Sequence, residues 1–181
     1  MMKKAQGFTL VELVVVIVVL GLLAVAALPR FVDVTESAKE SSVEAVAGGF
    51  ATGVLSARAQ WEANGRTKSG VNNYVDYDGT RFWLTRSEDA DGSATGFRDG
   101  YPTNSNANGI NSVDTNACIF LMENLLQNAP AVEQNSNTPS KGIKYLAQSV
   151  GNNICRYTQN ESNGHYFEYD IRTGKVKVEL R

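Results

Sequence analysis

Histidine is scarce in this chain, with His165 the only one among 181 residues. A lone histidine at the expected start of a strand is far more often structural than catalytic. No arrangement of serine, histidine and acid can be placed around it. We therefore expect that the chain is not an enzyme and that it needs no cofactor.

Cysteine is almost as scarce, with only Cys118 and Cys155. Two cysteines this far apart, without a nearby histidine, make a poor zinc site. In an oxidising compartment they favour a disulfide between a short helix and a strand near the end of the chain. That crosslink would stabilise the folded state relative to the unfolded chain by roughly 4 kcal/mol in the chain-entropy model. Two free thiols or a metal pair are the alternatives.

The chain also lacks a strong excess of charge of either sign, because its formal net charge is −2. Loss of Lys3 and Lys4 with a cleaved leader would change this charge by two, to about −4. A mildly acidic domain argues against broad nucleic-acid binding. A local patch on Arg81, Arg86 and Arg98 is the remaining alternative.

Cations are absent from the long apolar run at the amino end, which extends from Phe8 to Leu28. At 1.5 Å per residue the run spans roughly 31 Å, about the thickness of a bilayer core. We expect a retained membrane helix, with Lys3 and Lys4 holding the amino end in the cytoplasm. The alternative is a cleaved secretory signal, for which Ala24–Ala27 offers a partial cleavage site.

A carboxylate interrupts this run at Glu12, and no Lys, Arg or His lies between Thr9 and Pro29. A charged side chain at the centre of a membrane helix costs roughly 2.5–3.5 kcal/mol on insertion scales. Glu12 must therefore be protonated or find a cation. The first alternative is a neutral glutamate near the membrane edge, and the second is a functional contact.

The residues Gly7-Phe8-Thr9-Leu10-Val11-Glu12, followed by Pro29, resemble the signature of type IV pilins. The resemblance implies that a prepilin peptidase cuts between Gly7 and Phe8 and N-methylates Phe8. It further implies that Glu12 of one subunit meets the new Phe8 amine of the next. Gly21 and Pro29 imply a curved or partly melted stretch of helix used in fibre packing.

Beyond the membrane the pattern predicts that the helix continues as an amphipathic half and ends near Asn64-Gly65. One apolar stripe recurs every three or four residues: Val34, Ala38, Ser42, Val46, Phe50, Val54, Ala57 and Trp61. The expected organisation is a leader (1–7), a transmembrane and assembly helix (8–29), its amphipathic continuation (30–65) and a globular head (66–181).

The head is expected to hold a small antiparallel sheet, which makes the fold α+β and type IV pilin-like. The first hairpin joins Val71–Tyr77 to Thr80–Thr85 through Asp78-Gly79. The last one turns at Arg172-Thr173-Gly174, between apolar alternations at Phe167, Tyr169 and Ile171 and at Val176, Val178 and Leu180. Asp114 or Thr115 caps a short helix over Asn116–Gln127, and long polar loops cover Ser87–Asn116 and Val132–Lys141.

The acidic loop around Asp89-Ala90-Asp91-Gly92 resembles part of a calcium site, but the other ligands of an EF-hand are absent. Asp89 and Asp91 are therefore weak metal candidates, to which Asp76, Asp78 and Asp99 could be added. We expect no metal and treat these acids as solvated.

Within the type IV pilins, five stretches resemble pilins of the mannose-sensitive haemagglutinin (MSHA) pilus, nearest its B-type minor subunit: residues 30–40, 43–54, 59–66, 77–85 and 121–130. This resemblance implies a minor subunit of a fibre used in attachment and biofilm formation. Its partners would be other pilin subunits, the prepilin peptidase and the inner-membrane assembly machinery. The head would be periplasmic before assembly and extracellular afterwards. The alternative is a pseudopilin of a type II secretion system.

Overall fold

The computed structural model describes residues 8–107, 110–160 and 162–181, with only the backbone of residues 28, 29 and 31–33. Gly7 and the rest of the expected leader lie outside the described residues. The chain divides into two compact units, one ending at Lys39 and the other extending from Glu40 to Arg181. Helix α1 (Leu10–Ala63) contributes residues to both units.

The expected long helix is confirmed, and its carboxyl end forms at the expected Asn64-Gly65 step. Gly65 takes a φ of 75°, which a glycine adopts without a steric cost. The Gly65 amide donates to Glu62 (3.1 Å) and the Arg66 amide to Trp61 (2.9 Å). These two bonds form a Schellman motif, which satisfies carbonyls that would otherwise lack partners.

The buried face of α1 in the second unit differs from the predicted stripe before Phe50. Phe50, Val54, Ala57 and Trp61 are buried as expected, but Val43 and Ala47 replace Ser42 and Val46 as core residues. In the first unit, the expected Val34 is 68% exposed and Ala38 is exposed as well. Successive steps of four residues rotate by about 400°, so they drift off one face of a 3.6-residue helix. The buried residues of α1 instead follow one another at alternating intervals of four and three residues, which keeps them on one face of the helix.

The second unit contains two sheets beside α1 and α2 (Thr115–Leu125). The first sheet has the order β1-β2-β3-β4 and the second the order β5-β6-β7-β8-β9. The strands of the first are β1 (Lys68–Ser69), β2 (Asn72–Tyr77), β3 (Thr80–Leu84) and β4 (Pro102–Asn104). Those of the second are β5 (Val132–Gln134), β6 (Tyr145–Val150), β7 (Ile154–Gln159), β8 (Tyr166–Asp170) and β9 (Lys175–Glu179).

The α+β class and both expected hairpins are confirmed. Asp78 and Gly79 take φ values of 48° and 77°, as a type I′ turn requires, and Tyr77 pairs with Thr80. All neighbouring strands are antiparallel except β5 and β6, which are parallel. β4 and β5 are short strands inside the two segments that the sequence predicts to be polar loops.

The core of the second unit forms where α1 packs on the five-stranded sheet. Phe50 lies with its ring centroid 5.4 Å from Tyr157, 5.7 Å from Phe167 and 5.4 Å from Tyr169. The end of α2 approaches α1 at Gly53, where a Cβ atom would lie 2.3 Å from the Leu125 carbonyl oxygen. Gly53 therefore permits a contact that any larger residue would obstruct.

Candidate functional site

The first turn of α1 is closed by a reciprocal pair of hydrogen bonds between Thr9 and Glu12. The Thr9 amide donates to Glu12 Oε2 at 2.9 Å, and the Glu12 amide donates to Thr9 Oγ1 at 3.3 Å. The Thr9 hydroxyl adds a donor to the same Oε2 at 2.8 Å. This arrangement is a capping box, which satisfies backbone donors at the start of a helix.

Glu12 therefore combines two properties within one helical turn. Its carboxylate is fixed to the start of the helix, and the side chains that follow it are apolar and exposed. Leu10–Ala27 has a mean hydropathy of 3.0, and none of this stretch is buried. The stretch is long and apolar enough to cross a membrane.

The remaining residues expected in this site lie along the same segment. Phe8 precedes the helix and is 87% exposed. Gly21 has no neighbour within 4 Å of the position that a Cβ would take. The backbone is α-helical at both Gly21 and Pro29, so the helix is not broken there in the isolated chain. Curvature of this stretch stays a prediction. Unwinding in a fibre stays a prediction.

Comparison with known proteins gives this segment a family context. The profile described as "Prokaryotic N-terminal methylation motif" matches residues 2–28, which include Phe8, the capping box and the apolar run. The chain is type IV pilin-like. No solved structure matches it significantly.

Two relatives are similar to this pilin-like chain. The "Type IV narrow pilus major component PilA5" of Thermus thermophilus is 52% identical over 44 residues, which cover 24% of this chain and 38% of that protein. A "Fimbrial protein" of Neisseria meningitidis serogroup A is 36% identical over 77 residues, covering 41% of this chain and 45% of the relative. The matched region thus spans less than half of each relative. Both relatives are named as pilus or fimbrial proteins rather than enzymes, in agreement with the expectation for this chain.

The pilin-like head contains the expected disulfide between Cys118 on α2 and Cys155 on β7, with Cα atoms 5.4 Å apart. Both residues are fully buried. The Tyr157 hydroxyl also donates to the Cys118 carbonyl at 2.8 Å. The short helix is therefore held on the sheet by a covalent bond and by a buried hydrogen bond, which excludes free thiols or a metal pair here.

The aspartates considered for calcium do not converge on one site. Asp89 pairs with Arg86 at 2.6 Å, and Asp76 pairs with Arg81 at 2.7 Å. Hydrogen bonds from the Ser93 hydroxyl and amide lower the pKa of Asp91, which marks a local turn. In the part of the chain that the structure describes, no group of three or more His, Cys, Asp or Glu could hold a metal ion.

The arginines considered as a nucleic-acid patch also make separate contacts within the head. Arg81 and Arg86 are each neutralised by the aspartate named above, and the Arg81 guanidinium also stacks 4.6 Å from the Tyr74 ring centroid. The backbone of Arg98 belongs to a different contact, in which its main-chain amide donates to the Arg172 carbonyl at 3.0 Å. Two of the three arginines of the patch are therefore engaged in ion pairs within the chain.

His165 has a structural role in the head. It is fully buried, and its Nδ1 accepts a hydrogen bond of 2.9 Å from the Arg181 amide. This bond attaches the end of the described chain to the start of β8. The geometry agrees with the expectation that this histidine is structural.

Sequence reasoning missed Thr9 as a member of the site. The signal was present, because Thr9 and Glu12 have the T-x-x-E spacing of a capping box immediately before an apolar run.

Proposed function

We propose that this chain is a structural subunit of a type IV pilus, assembled through α1. The proposal rests most directly on one observation: Glu12 is a carboxylate held at the first turn of an exposed, membrane-length apolar helix without a cation. Such a residue is a functional-site hypothesis by default. The methylation motif and the two pilus relatives support the same reading.

In this proposal the cut between Gly7 and Phe8 leaves the whole apolar helix in the mature chain. The cut also creates an amino group on Phe8, which is then N-methylated. Glu12 of one subunit pairs with this amine on the next subunit. The pair favours one axial offset between apolar helices that otherwise slide without preference.

The subunit is inserted in the inner membrane before assembly, with its amino end cytoplasmic and its head periplasmic. Prepilin peptidase and the inner-membrane assembly machinery are its processing partners, and other pilin subunits are its partners in the fibre. The resemblance of residues 30–40, 43–54, 59–66, 77–85 and 121–130 to MSHA pilins supports a minor subunit of an MSHA-like fibre used in attachment and biofilm formation.

Substitution Glu12→Gln removes the charge and keeps the shape of the side chain. We expect the variant to stay in the membrane while its share of the sheared pilus fraction falls, because the contact with the Phe8 amine is lost. Glu44→Gln is the matched control, since Glu44 is an exposed carboxylate on the same helix. Incorporation of the Glu12 variant equal to that of the parent would contradict the proposal.

A pseudopilin of a type II secretion system is the second candidate, because the residues Gly7–Glu12 followed by Pro29 resemble the amino ends of both classes. A strain that lacks this chain separates the two. Loss or shortening of surface fibres with normal secretion supports the pilus subunit. Retention of exoproteins in the periplasm with normal fibres supports the pseudopilin.

A further inference from the structure

Among the described residues, the hydrogen bonds at the first turn of α1 use only one of the two carboxylate oxygens of Glu12. Both donors of Thr9, its amide and its hydroxyl, converge on Oε2 at 2.9 and 2.8 Å. A carboxylate offers about four acceptor positions on its two oxygens. Oε1 is therefore available for a further donor while Oε2 fixes the orientation of the group.

The cut proposed before Phe8 does not disturb this arrangement. The capping box consists of Thr9 and Glu12 atoms only. Thr9 keeps its amide N–H because Phe8 remains attached to it after the cut. Phe8 itself lies before the first helical residue, Leu10. The same box is thus present in the precursor and in the mature chain.

Without the Thr9 hydroxyl the glutamate side chain would be less restrained. Glu carries several rotatable bonds, so an unrestrained carboxylate loses much conformational entropy when it meets a partner. A bond already formed within the first turn removes part of that loss before the partner arrives. In apolar surroundings such a hydrogen bond is also electrostatically stronger than in water.

We propose that Thr9 is a positioning residue for the contact between subunits, and this inference rests on the proposed function. Thr9 holds the Glu12 carboxylate through Oε2 and leaves Oε1 to accept from the Phe8 amine of a second copy of the chain. Thr9 acts through Glu12 and has no contact of its own with the neighbouring amine.

The test uses the full-length chain in pilus-forming cells, with four variants: Thr9→Ser, Thr9→Val, Glu12→Gln and the Thr9→Val/Glu12→Gln double variant. Serine keeps the hydroxyl, whereas valine keeps the shape of threonine without it. The ratio of chain in sheared fibres to chain in membranes is measured for each variant. Mass spectrometry of the amino-terminal peptide reports cleavage and methylation.

We expect Thr9→Val to lower the fibre-to-membrane ratio by roughly tenfold, the change that corresponds to the loss of one hydrogen bond to a charged group. Thr9→Ser should keep the parent ratio. The double variant should assemble no worse than Glu12→Gln alone, because Thr9 has nothing to position once the carboxylate is gone.

The outcomes separate this inference from the proposed function. A Thr9→Val chain that assembles like the parent, or whose effect adds fully to that of Glu12→Gln, overturns the positioning role. So does a Thr9→Val chain that accumulates uncut, because its defect then lies in processing. Parent-like assembly of Glu12→Gln contradicts the proposed function itself.

Discussion

A single methyl group added at Gly53 should lower the free energy of unfolding of the head, because α2 approaches the backbone of α1 there. A Cβ atom at this position would lie 2.3 Å from the carbonyl oxygen of Leu125 and 3.1 Å from its carbonyl carbon. These are backbone atoms at the end of α2, so the clash cannot be relieved by a side-chain rotation. Overpacking of a well-packed core costs about 1–3 kcal/mol.

The gain in helix propensity from glycine to alanine offsets about 1 kcal/mol of that cost. We therefore expect Gly53→Ala to lower the free energy of unfolding by about 2 kcal/mol. This figure uses the upper end of the overpacking range, because the added Cβ would clash with backbone atoms of Leu125. Gly48→Ala is the matched control, since nothing lies within 4 Å of its Cβ position. It should raise the free energy of unfolding by about 0.5–1 kcal/mol.

Urea unfolding of the full chain in detergent measures both variants. It is followed through the fluorescence of the two tryptophans, Trp61 and Trp83, of which Trp61 is buried. The two substitutions are chemically identical and lie in the same helix, so their opposite signs test the close approach of α2 and not helix propensity. Equal stabilisation by both alanines would refute the packing of Leu125 against Gly53.

Two further predictions concern the head. Replacement of Cys118 and Cys155 by alanine should lower the free energy of unfolding by roughly 4 kcal/mol in the chain-entropy model, given their separation of 37 residues, and reduction of the parent should reproduce the loss. An unchanged unfolding midpoint would contradict it. Partial burial raises the pKa of Asp99, but hydrogen bonds from the Ser87 amide and hydroxyl and from Asn73 together hold that pKa below its ordinary value. The ionised Asp99 carboxylate therefore contributes fully to the free energy of unfolding above the unfolded-state pKa of about 3.9. That contribution is lost as the pH falls through the folded-state pKa of Asp99. Asp99→Asn should cost about 1 kcal/mol at pH 7, and the difference from the parent should shrink as the pH falls through the folded-state pKa of Asp99. Glu44→Gln, at an exposed carboxylate, serves as the control. A pH-independent difference would contradict the role of the charge.

The parts of the fold that the sequence predicted well are those determined locally. The Asp78-Gly79 turn needs two residues with positive φ, and the sequence supplies a pair that adopts them readily. The Asp114 side chain accepts from the Ala117 amide at 2.7 Å and so starts α2 where the sequence suggested. Each of these signals lies within a few residues of the structure that it determines.

The parts that were missed depend on distant residues. β4 and β5 have three residues each, and they are strands only because β3 and β6 pair with them. The polar loop after β3 is ordered through Asp99, which accepts from Ser87 and from Asn73. No periodicity within such short segments reveals a partner elsewhere in the chain.

The candidate site was largely predictable because Phe8, Thr9 and Glu12 are neighbours in sequence. The spacing that indicates a methylation motif and the spacing of a capping box lie within the same few residues. Only the second of these was overlooked. The choice of Oε2 by both Thr9 donors required coordinates, since no sequence pattern distinguishes the two oxygens of a carboxylate.

The proposed entry of this chain into a fibre after a cut before Phe8 can be read from the amino-terminal peptide of sheared surface fibres. Mass spectrometry should find a peptide that begins at Phe8 and carries one additional methyl group on its amino terminus. The same peptide from the membrane fraction should show the identical cut. Absence of the chain from the fibres, or an amino terminus after the Ala24–Ala27 segment, would contradict the account.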